Sequence, residues 1–214
     1  MNRYAKPISE FSRLEQCLAA HSTPFTLPAM HPVFGDCDKE NENAVVLQSG
    51  TLSIHRQQDD LLIEIVTAPY IFGLNAGMMG CSTEYLLVTQ SPCTGFWLPA
   101  SGARQLIQQA GLWSDAFCWL SWHHRVMEIR DKQLVGNNSY SQIRSTLLDM
   151  AQWDETLRMR VGVMNYIQRR TRISRSVVAE VLAALRQGNY ITMDRGKLVR
   201  ITTCPLNISV RMPG

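Results

Sequence analysis

The sequence lacks the signatures of several common protein classes. Its six cysteines form no C-x-x-C pair and no tight Cys/His cluster, which argues against a zinc site. The adjacent pair His123-His124 is a poor metal site, because neighbouring side chains on a helix point about 100° apart. A nucleophile elbow, a phosphate-binding loop and a paired-carboxylate motif are also missing. We therefore expect a protein that is not an enzyme and that holds no metal or cofactor.

Long hydrophobic runs are missing as well. No stretch approaches the roughly 18 apolar residues that cross a bilayer, and residues 1–20 mix charges instead of forming the apolar centre of a signal peptide. With 45% apolar residues among 214, the chain can still bury a sizeable core. These features predict a cytoplasmic protein without a membrane partner, whose cysteines are reduced thiols.

Acidic residues are scarce in the C-terminal part of the chain. Residues 156–214 hold eleven Lys and Arg but two acids, a net charge of +9, whereas residues 1–155 hold ten against sixteen, a net charge of −6. The whole chain carries only +3. This division indicates two domains, and the basic part has the charge that contacts with nucleic-acid phosphates require.

The segment 173–191 has the pattern of a DNA-recognition helix. Ser174 is suited to cap its start, and Gly188 is suited to a left-handed position just past its end. The apolar residues at helical spacing are Val177, Val178, Val181, Leu182 and Leu185. The spacing therefore predicts one packed face and one free face, and Arg175 and Ser176 lie at the start of the free face.

A β-hairpin is predicted directly after this helix. Apolar and polar residues alternate over 190–193 and 198–201, and Gly196 lies in the turn between them. Arg195 and Lys197 fall at the tip, so the segment is typical of a winged helix-turn-helix whose wing contacts phosphates. An ordinary helix–hairpin unit within an α+β domain remains the alternative reading of this segment.

The first hundred residues have the pattern of a β-domain. Short β-branched segments at 44–56 and 61–66 are followed by further apolar segments up to residue 99, which predicts a small β-barrel or β-roll over about 25–99. Helices are predicted at 101–109, 112–133 and 140–153. The second of these is apolar on more than one side, with Trp113, Leu120 and Met127 among its apolar residues, so we expect it to pack on its own domain and on a second subunit.

The order of these parts resembles that of the cyclic-AMP receptor protein and FNR superfamily of transcription regulators. The resemblance is most specific in Ser174-Arg175 with the apolar residues that follow, and in the turn Gln48-Ser-Gly50. It implies an α+β fold with a cyclic-nucleotide-binding-like β-roll at residues 1–110, a connecting and dimerisation helix at 111–138, and a winged helix-turn-helix at 139–214. It also implies a homodimer that binds double-stranded DNA.

Within the superfamily, the chain is similar to enterobacterial regulators of hydrogen peroxide resistance. The residues that carry this similarity lie at 71–74, 130–140 and 163–180 and so span both predicted domains. The similarity implies a transcription regulator that acts negatively on resistance to hydrogen peroxide.

The chain departs from the family members that bind small ligands. A Gly-Glu pair and an Arg-Ser or Arg-Thr pair hold the cyclic nucleotide in those members, whereas this chain has Gly73-Leu74 and Cys81-Ser82 at the matching places. A buried cyclic phosphate without a cationic partner is prohibitively costly. We therefore expect no cyclic-AMP binding. Only two cysteines precede residue 80, too few for an N-terminal iron–sulfur cluster.

The resemblance assigns a DNA-reading role to Arg175, whose planar fork suits the guanine edge. The residues predicted to form the DNA-binding surface are Arg169, Arg170, Arg172, Ser174, Arg175, Ser176, Arg195 and Lys197. For the helix before the recognition helix, a support helix with a solvated basic edge remains the alternative.

Two hypotheses concern sensing. Cys81, which follows Gly80 in a predicted loop, is a candidate redox thiol, whereas Cys118 is expected to belong to the core. Buried inert thiols remain the simpler reading for every cysteine. The alternative function is a binding module whose β-roll captures a small apolar or redox-active ligand and whose winged helix contacts proteins.

Overall fold

The computed structural model describes residues 5–34, 42–80, 84–203 and 205. The chain divides into two compact units, Met1–Met127 and Glu128–Gly214. Unit 1 contains α1 (Ile8–Ala19), β1 (Thr23–Leu27), β2 (Asn43–Ser49), β3 (Thr51–Arg56), β4 (Leu62–Thr67), β5 (Tyr70–Phe72), α2 (Leu74–Met79), β6 (Tyr85–Thr89), β7 (Cys93–Pro99), α3 (Ala100–Ala110) and the first part of α4 (Trp113–Leu134). Unit 2 contains the rest of α4, then α5 (Ser139–Met150), α6 (Glu155–Arg160), α7 (Val163–Thr171), α8 (Arg175–Gln187), β8 (Ile191–Asp194) and β9 (Lys197–Ile201).

Two antiparallel sheets make up the β-roll of unit 1. One has the strand order β1-β7-β2-β5, and the other has the order β4-β3-β6. The turn between β2 and β3 depends on Gly50, which has a φ of +91° and whose added Cβ would lie 2.3 Å from the Pro92 carbonyl oxygen. Any other residue at this turn would be strained, so the glycine expected between the first strands is required here.

The core of unit 1 lies where the sheets meet the helices. Strand residues such as Val46, Leu52 and Leu98 are buried, and α1 adds Leu14 and Leu18 from its apolar face. The short β-branched segments that predicted β2 and β3 are buried along most of their length. The core is therefore formed jointly by the sheets and by α1, whose packing the sequence had not predicted.

Trp119 fixes α4 to the β-roll. Its side chain is 1% exposed, and its indole N–H donates to the Ile71 carbonyl oxygen in β5 at 2.9 Å. The ring packs against Phe11, Tyr70 and Trp122, with ring centroids 5.0–5.8 Å apart. Buried aromatic pairs at such distances stabilise a core beyond the area they bury. One face of α4 is therefore an integral part of unit 1.

Unit 2 is a winged helix-turn-helix. Helices α5, α7 and α8 pack around buried residues that include Ile143, Leu147, Ile167 and Leu185. The wing is the antiparallel pair β8 and β9, in which Asp194 is opposite Lys197. The α+β fold predicted from the sequence, a β-roll followed by a long helix and a winged helix, is confirmed.

The predicted helices match the observed ones to within a few residues. The division of the chain at residues 110 and 138 stays a prediction. The two compact units are divided at a point within α4, between Met127 and Glu128. Within the described ranges, no helix is both long and apolar enough to span a membrane.

The Trp119 contact generates a stability prediction. We expect Trp119→Phe to lower the free energy of unfolding by about 1–3 kcal/mol, because the buried indole donor is lost and the smaller phenyl ring leaves part of the site unfilled. Trp119→Ala should lower it by about 3–5 kcal/mol, because it also opens a cavity. Denaturant unfolding followed by circular dichroism measures both. A Trp119→Phe variant as stable as the wild type would show that the hydrogen bond to Ile71 contributes nothing.

Candidate nucleic-acid interface

Helix α8 begins as its sequence predicts. The Ser174 hydroxyl accepts a hydrogen bond from the Val177 N–H at 3.4 Å, and Ser174 has extended backbone angles. Such a cap satisfies one of the free N–H groups of the first turn. Val178, Val181, Leu182 and Leu185 are buried, so the apolar face of α8 packs into unit 2 as predicted.

The opposite face of α8 is exposed. Arg175, Ser176, Ala179 and Glu180 all lie on this face. The Ser176 hydroxyl is 3.1 Å from that of Ser174, so the two hydroxyls share a hydrogen bond. The first half of α8 and its cap therefore present a guanidinium, a carboxylate and two hydroxyls to solvent. All of these groups can bind base edges, and the guanidinium and the hydroxyls can also bind phosphates.

The end of α8 differs from the prediction. Gly188 follows the helix with a φ of −79°, and the left-handed residue is Asn189, with a φ of +57°. Asparagine tolerates this conformation better than most residues. The prediction of a left-handed Gly188 was wrong by one residue. Gly188 is nevertheless tightly placed, because an added Cβ would lie 2.4 Å from the Tyr190 ring.

The turn between α7 and α8 places two of the predicted arginines. Arg172 is exposed and has a φ of +63°, and Arg169 is half-buried in the last turn of α7. Thr171 braces the turn, since its hydroxyl donates to the Ile167 carbonyl oxygen and accepts from the Ile173 N–H. This side-chain bracing fixes the backbone of a three-residue turn in front of the recognition helix.

Arg170 lies in the interior instead of on the surface. Its side chain is 7% exposed, and its guanidinium is 3.5 Å from the Asp149 carboxylate of α5. The guanidinium also lies 5.9 Å from the centre of the Tyr166 ring. A buried ion pair of this kind is held by its own partners and is not available to a phosphate. The structure therefore places Arg170 apart from the surface on which the sequence had put it.

The wing tip is a two-residue turn made by Arg195 and Gly196, with φ values of +43° and +80°. Arg195 is exposed, whereas the Lys197 ammonium donates to the Arg160 carbonyl oxygen at the end of α6. The Gly196 carbonyl oxygen accepts from the Val163 N–H at 3.0 Å. The wing is therefore tied at two points to the segment between α6 and α7.

The sequence did not reveal two residues on which this surface depends. Asp149 holds Arg170 in the interior, and Arg160 receives the Lys197 ammonium on its carbonyl oxygen. An isolated acid in α5 ahead of an arginine-rich helix was the available clue for Asp149. The brace at Arg160 uses a backbone atom, so no residue pattern could have indicated it.

The cysteines fall into different environments. Cys81, the candidate redox thiol, and its neighbour Ser82 lie outside the described residues. Cys118 is exposed on α4, so the expectation that it belongs to the core was wrong. It lies one residue before the buried Trp119 in α4. Burial raises the pKa of Cys17. Burial also raises the pKa of Cys93, and this effect is larger than the opposite effect of the hydrogen bonds that Cys93 makes.

Leu74, the residue after Gly73 at the start of α2, is a buried apolar residue. Gly73 has a φ of +83°, and an added Cβ would lie 2.3 Å from the Asn43 carbonyl oxygen. Leu74 begins α2 and is 2% exposed within the core of unit 1. Its isobutyl group offers no hydrogen bond to a sugar hydroxyl.

Comparison with known proteins supports a winged helix-turn-helix at the C-terminal end of the chain. Residues 139–206 match a family described as winged helix-turn-helix DNA binding. The chain is 50% identical to the inhibitor of hydrogen peroxide resistance of Salmonella typhimurium, over 94% of this chain and 97% of that one. It is 51% identical to the protein of the same name from Escherichia coli K12, over 94% and 96% of the two chains.

A solved structure shares the fold. The c-di-GMP responsive global regulator CLP of Xanthomonas campestris superposes with a TM-score of 0.68 at 20% identity, covering 90% of this chain and all of that one. This likeness shows a shared fold, and the family match identifies residues 139–206 as a winged helix-turn-helix of the DNA-binding type. By its identity to the curated relatives along nearly its whole length, the chain belongs to the family of the inhibitor of hydrogen peroxide resistance.

Proposed function

We propose that this protein is a sequence-specific transcription regulator that acts negatively on resistance to hydrogen peroxide. The observation that carries the proposal is the start of α8, where a capped and packed helix exposes Arg175 and Ser176. The sign and the subject of the regulation rest on the name of the curated relatives. The β-roll at 1–110 would act as a sensor-like domain, 111–138 as a connecting and dimerisation helix, and 139–214 as the DNA-binding domain.

Different residues have different tasks in this proposal. Arg175 reads a guanine, with Ser174 and Ser176 beside it, while Arg169, Arg172 and Arg195 contact phosphates. Arg170 supports the fold of α7 through Asp149 instead of contacting DNA. Lys197 holds the wing against Arg160 and adds positive charge near the tip. The basic surface is therefore smaller than the arginine count of α7 implies.

The proposed assembly is a homodimer formed along α4. Ala116 and Trp119 face the β-roll, whereas Trp113 and Phe117 are 41% and 72% exposed on the other side of the same helix. Large apolar side chains on one helical stripe suit a two-fold contact with the same stripe of a second copy. Leu120 and Met127, also expected at the interface, pack against the core of their own unit.

The DNA-binding proposal is tested with single-arginine variants. We expect Arg175→Ala to weaken binding to the selected site by about 1–3 kcal/mol and to relax the preference at one base pair. Arg195→Ala should weaken binding to all sequences alike and reduce the salt slope by about one. Selection of bound genomic fragments, followed by footprinting and salt titration, measures both effects.

Arg186→Ala is the matched control, because Arg186 is exposed in the last turn of the same helix and its loss removes the same charge. It should leave the base preference unchanged. If Arg175→Ala binds the selected site as the wild type does, the reading role is assigned to the wrong residue. If the affinity for DNA is the same for all variants and all DNA sequences, the winged helix serves protein contacts instead.

The dimer proposal predicts that Phe117→Asp weakens self-association by several kcal/mol, because the dimer would bury an unpaired charge. Sedimentation at micromolar concentration measures the change. Ile8→Asp is the control, since Ile8 is an exposed apolar residue of α1 away from the proposed stripe. A Phe117→Asp protein that stays dimeric places the interface elsewhere.

We also propose that the β-roll does not bind cyclic nucleotides. Because Leu74 is buried where the ribose partner stands in binding members, we expect millimolar cyclic AMP to leave the melting temperature unchanged. A ligand that does not bind the native state cannot stabilise it. Thermal melts with and without cyclic AMP measure this, and a reproducible rise of several degrees contradicts it.

A further inference from the structure

The side chain of Lys6 enters a box of electron-rich groups between the β-roll and α4. Its ammonium donates to the Thr67 and Pro69 carbonyl oxygens, both at 2.9 Å. The same nitrogen lies 5.8 Å from the centre of the Tyr70 ring and 5.7 Å from that of Trp122. Two carbonyl acceptors and two aromatic faces within 6 Å are the groups that recognise an organic cation.

Burial of the box disfavours a positive charge, and the two carbonyl acceptors and the Glu64 carboxylate offset part of that cost. Burial lowers the pKa of Lys6, and the Glu64 carboxylate partly opposes this by raising it. The centre of the nearby His123 ring is 6.0 Å from that of the Tyr70 ring, and the two rings lie edge-on. Burial lowers the pKa of His123, and the neighbouring His124 lowers it further. Burial therefore disfavours a positive charge on both His123 and Lys6, and Glu64 opposes this effect at Lys6.

The walls of the box include buried aromatic side chains, and one of their polar groups has no hydrogen-bond partner among the described residues. Trp119 and Trp122 pack on Tyr70, which is 2% exposed. The Tyr70 hydroxyl is buried and has no hydrogen-bond partner among the described residues. Burial, together with the negative charge of Glu64, raises the pKa of Tyr70, which keeps the hydroxyl protonated as a donor. A buried donor of this kind is stabilised when an acceptor reaches it.

We propose that this box, formed by Thr67, Pro69, Tyr70, Trp122 and Glu64, is a binding site for a small primary amine that also carries a hydrogen-bond acceptor, and that the chain fills it with Lys6. A primary ammonium fits because two carbonyl oxygens stand at hydrogen-bond distance from the nitrogen. A quaternary ammonium has no N–H to donate to them. The acceptor of the ligand would take the hydrogen bond of the Tyr70 hydroxyl.

The position of Lys6 in the chain makes the exchange feasible. Lys6 lies two residues before α1 begins at Ile8, so its side chain can leave the box by a movement of residues 5–7 without loss of a strand. A tethered ammonium acts at an effective concentration in the millimolar range. A free amine therefore competes only when it is more concentrated than this or gains the additional contact with Tyr70, and its binding releases the N-terminal segment.

The test is chemical rescue of Lys6→Ala, which removes both the ammonium and the stem of the side chain and so opens the box. We expect ethanolamine to raise the melting temperature of this variant and to change its tryptophan fluorescence at concentrations about tenfold or more below those that affect the wild type. Ethylamine should act more weakly because it has no acceptor. Tetramethylammonium should have no effect because it has no N–H.

Two controls separate the site from general effects of amines. Lys132→Ala removes an exposed lysine of α4 and should respond to ethanolamine as the wild type does. Tyr70→Phe in the Lys6→Ala background should abolish the preference for ethanolamine over ethylamine, and Trp122→Leu in that background should weaken the response to both amines. The proposal is overturned if Lys6→Ala is folded but responds no better than Lys132→Ala, or if tetramethylammonium is as effective as ethanolamine.

A measurement on the wild type applies if Lys6→Ala fails to fold. Ethanolamine at high concentration should accelerate amide hydrogen exchange at residues 8–12, because displacement of Lys6 frees the start of α1. Tetramethylammonium at the same concentration should not. Equal exchange with both amines, or no change with either, contradicts the proposal.

Discussion

The arrangement of unit 1 depends on one requirement, namely that a buried indole N–H must find a hydrogen-bond acceptor. Trp119 meets this need through the Ile71 carbonyl oxygen, which fixes both the rotation and the position of α4 relative to β5. The packing of Phe11, Tyr70 and Trp122 follows from that placement. So does the exposure of Phe117, because a helix that turns Trp119 inward must turn the residue two positions earlier outward.

Local patterns in the sequence were sufficient for most of the fold. The strands of the β-roll, the Ser174 cap and the packed face of α8 were predicted because hydrophobic periodicity and capping act within a few residues. The errors have the same local origin. Gly188 and Asn189 are both acceptable at a helix end, and the choice between them depended on the packing of Tyr190 against Gly188.

The candidate site was less predictable, because its composition depends on contacts between distant residues. Whether Arg170 contacts DNA or supports the fold was decided by Asp149, 21 positions earlier in the chain, and charge counting treats both arginines of α7 alike. Cys118 was expected in the core because its helix is rich in aromatic residues, yet that richness belongs to two opposite faces. Periodicity identifies the faces of a helix, but it does not identify which partner covers each one.

At the wing tip, the residue that would make the hairpin most stable is not the residue that would bind DNA. Arg195 occupies the first left-handed position of a two-residue turn, where asparagine or glycine is preferred and where other L-residues lose about 1–2 kcal/mol. A more stable hairpin would therefore have lost the charge at its tip. Selection for thermostability alone would drive position 195 towards asparagine, so an arginine that persists there among relatives would record selection for contact with a partner and not for folding.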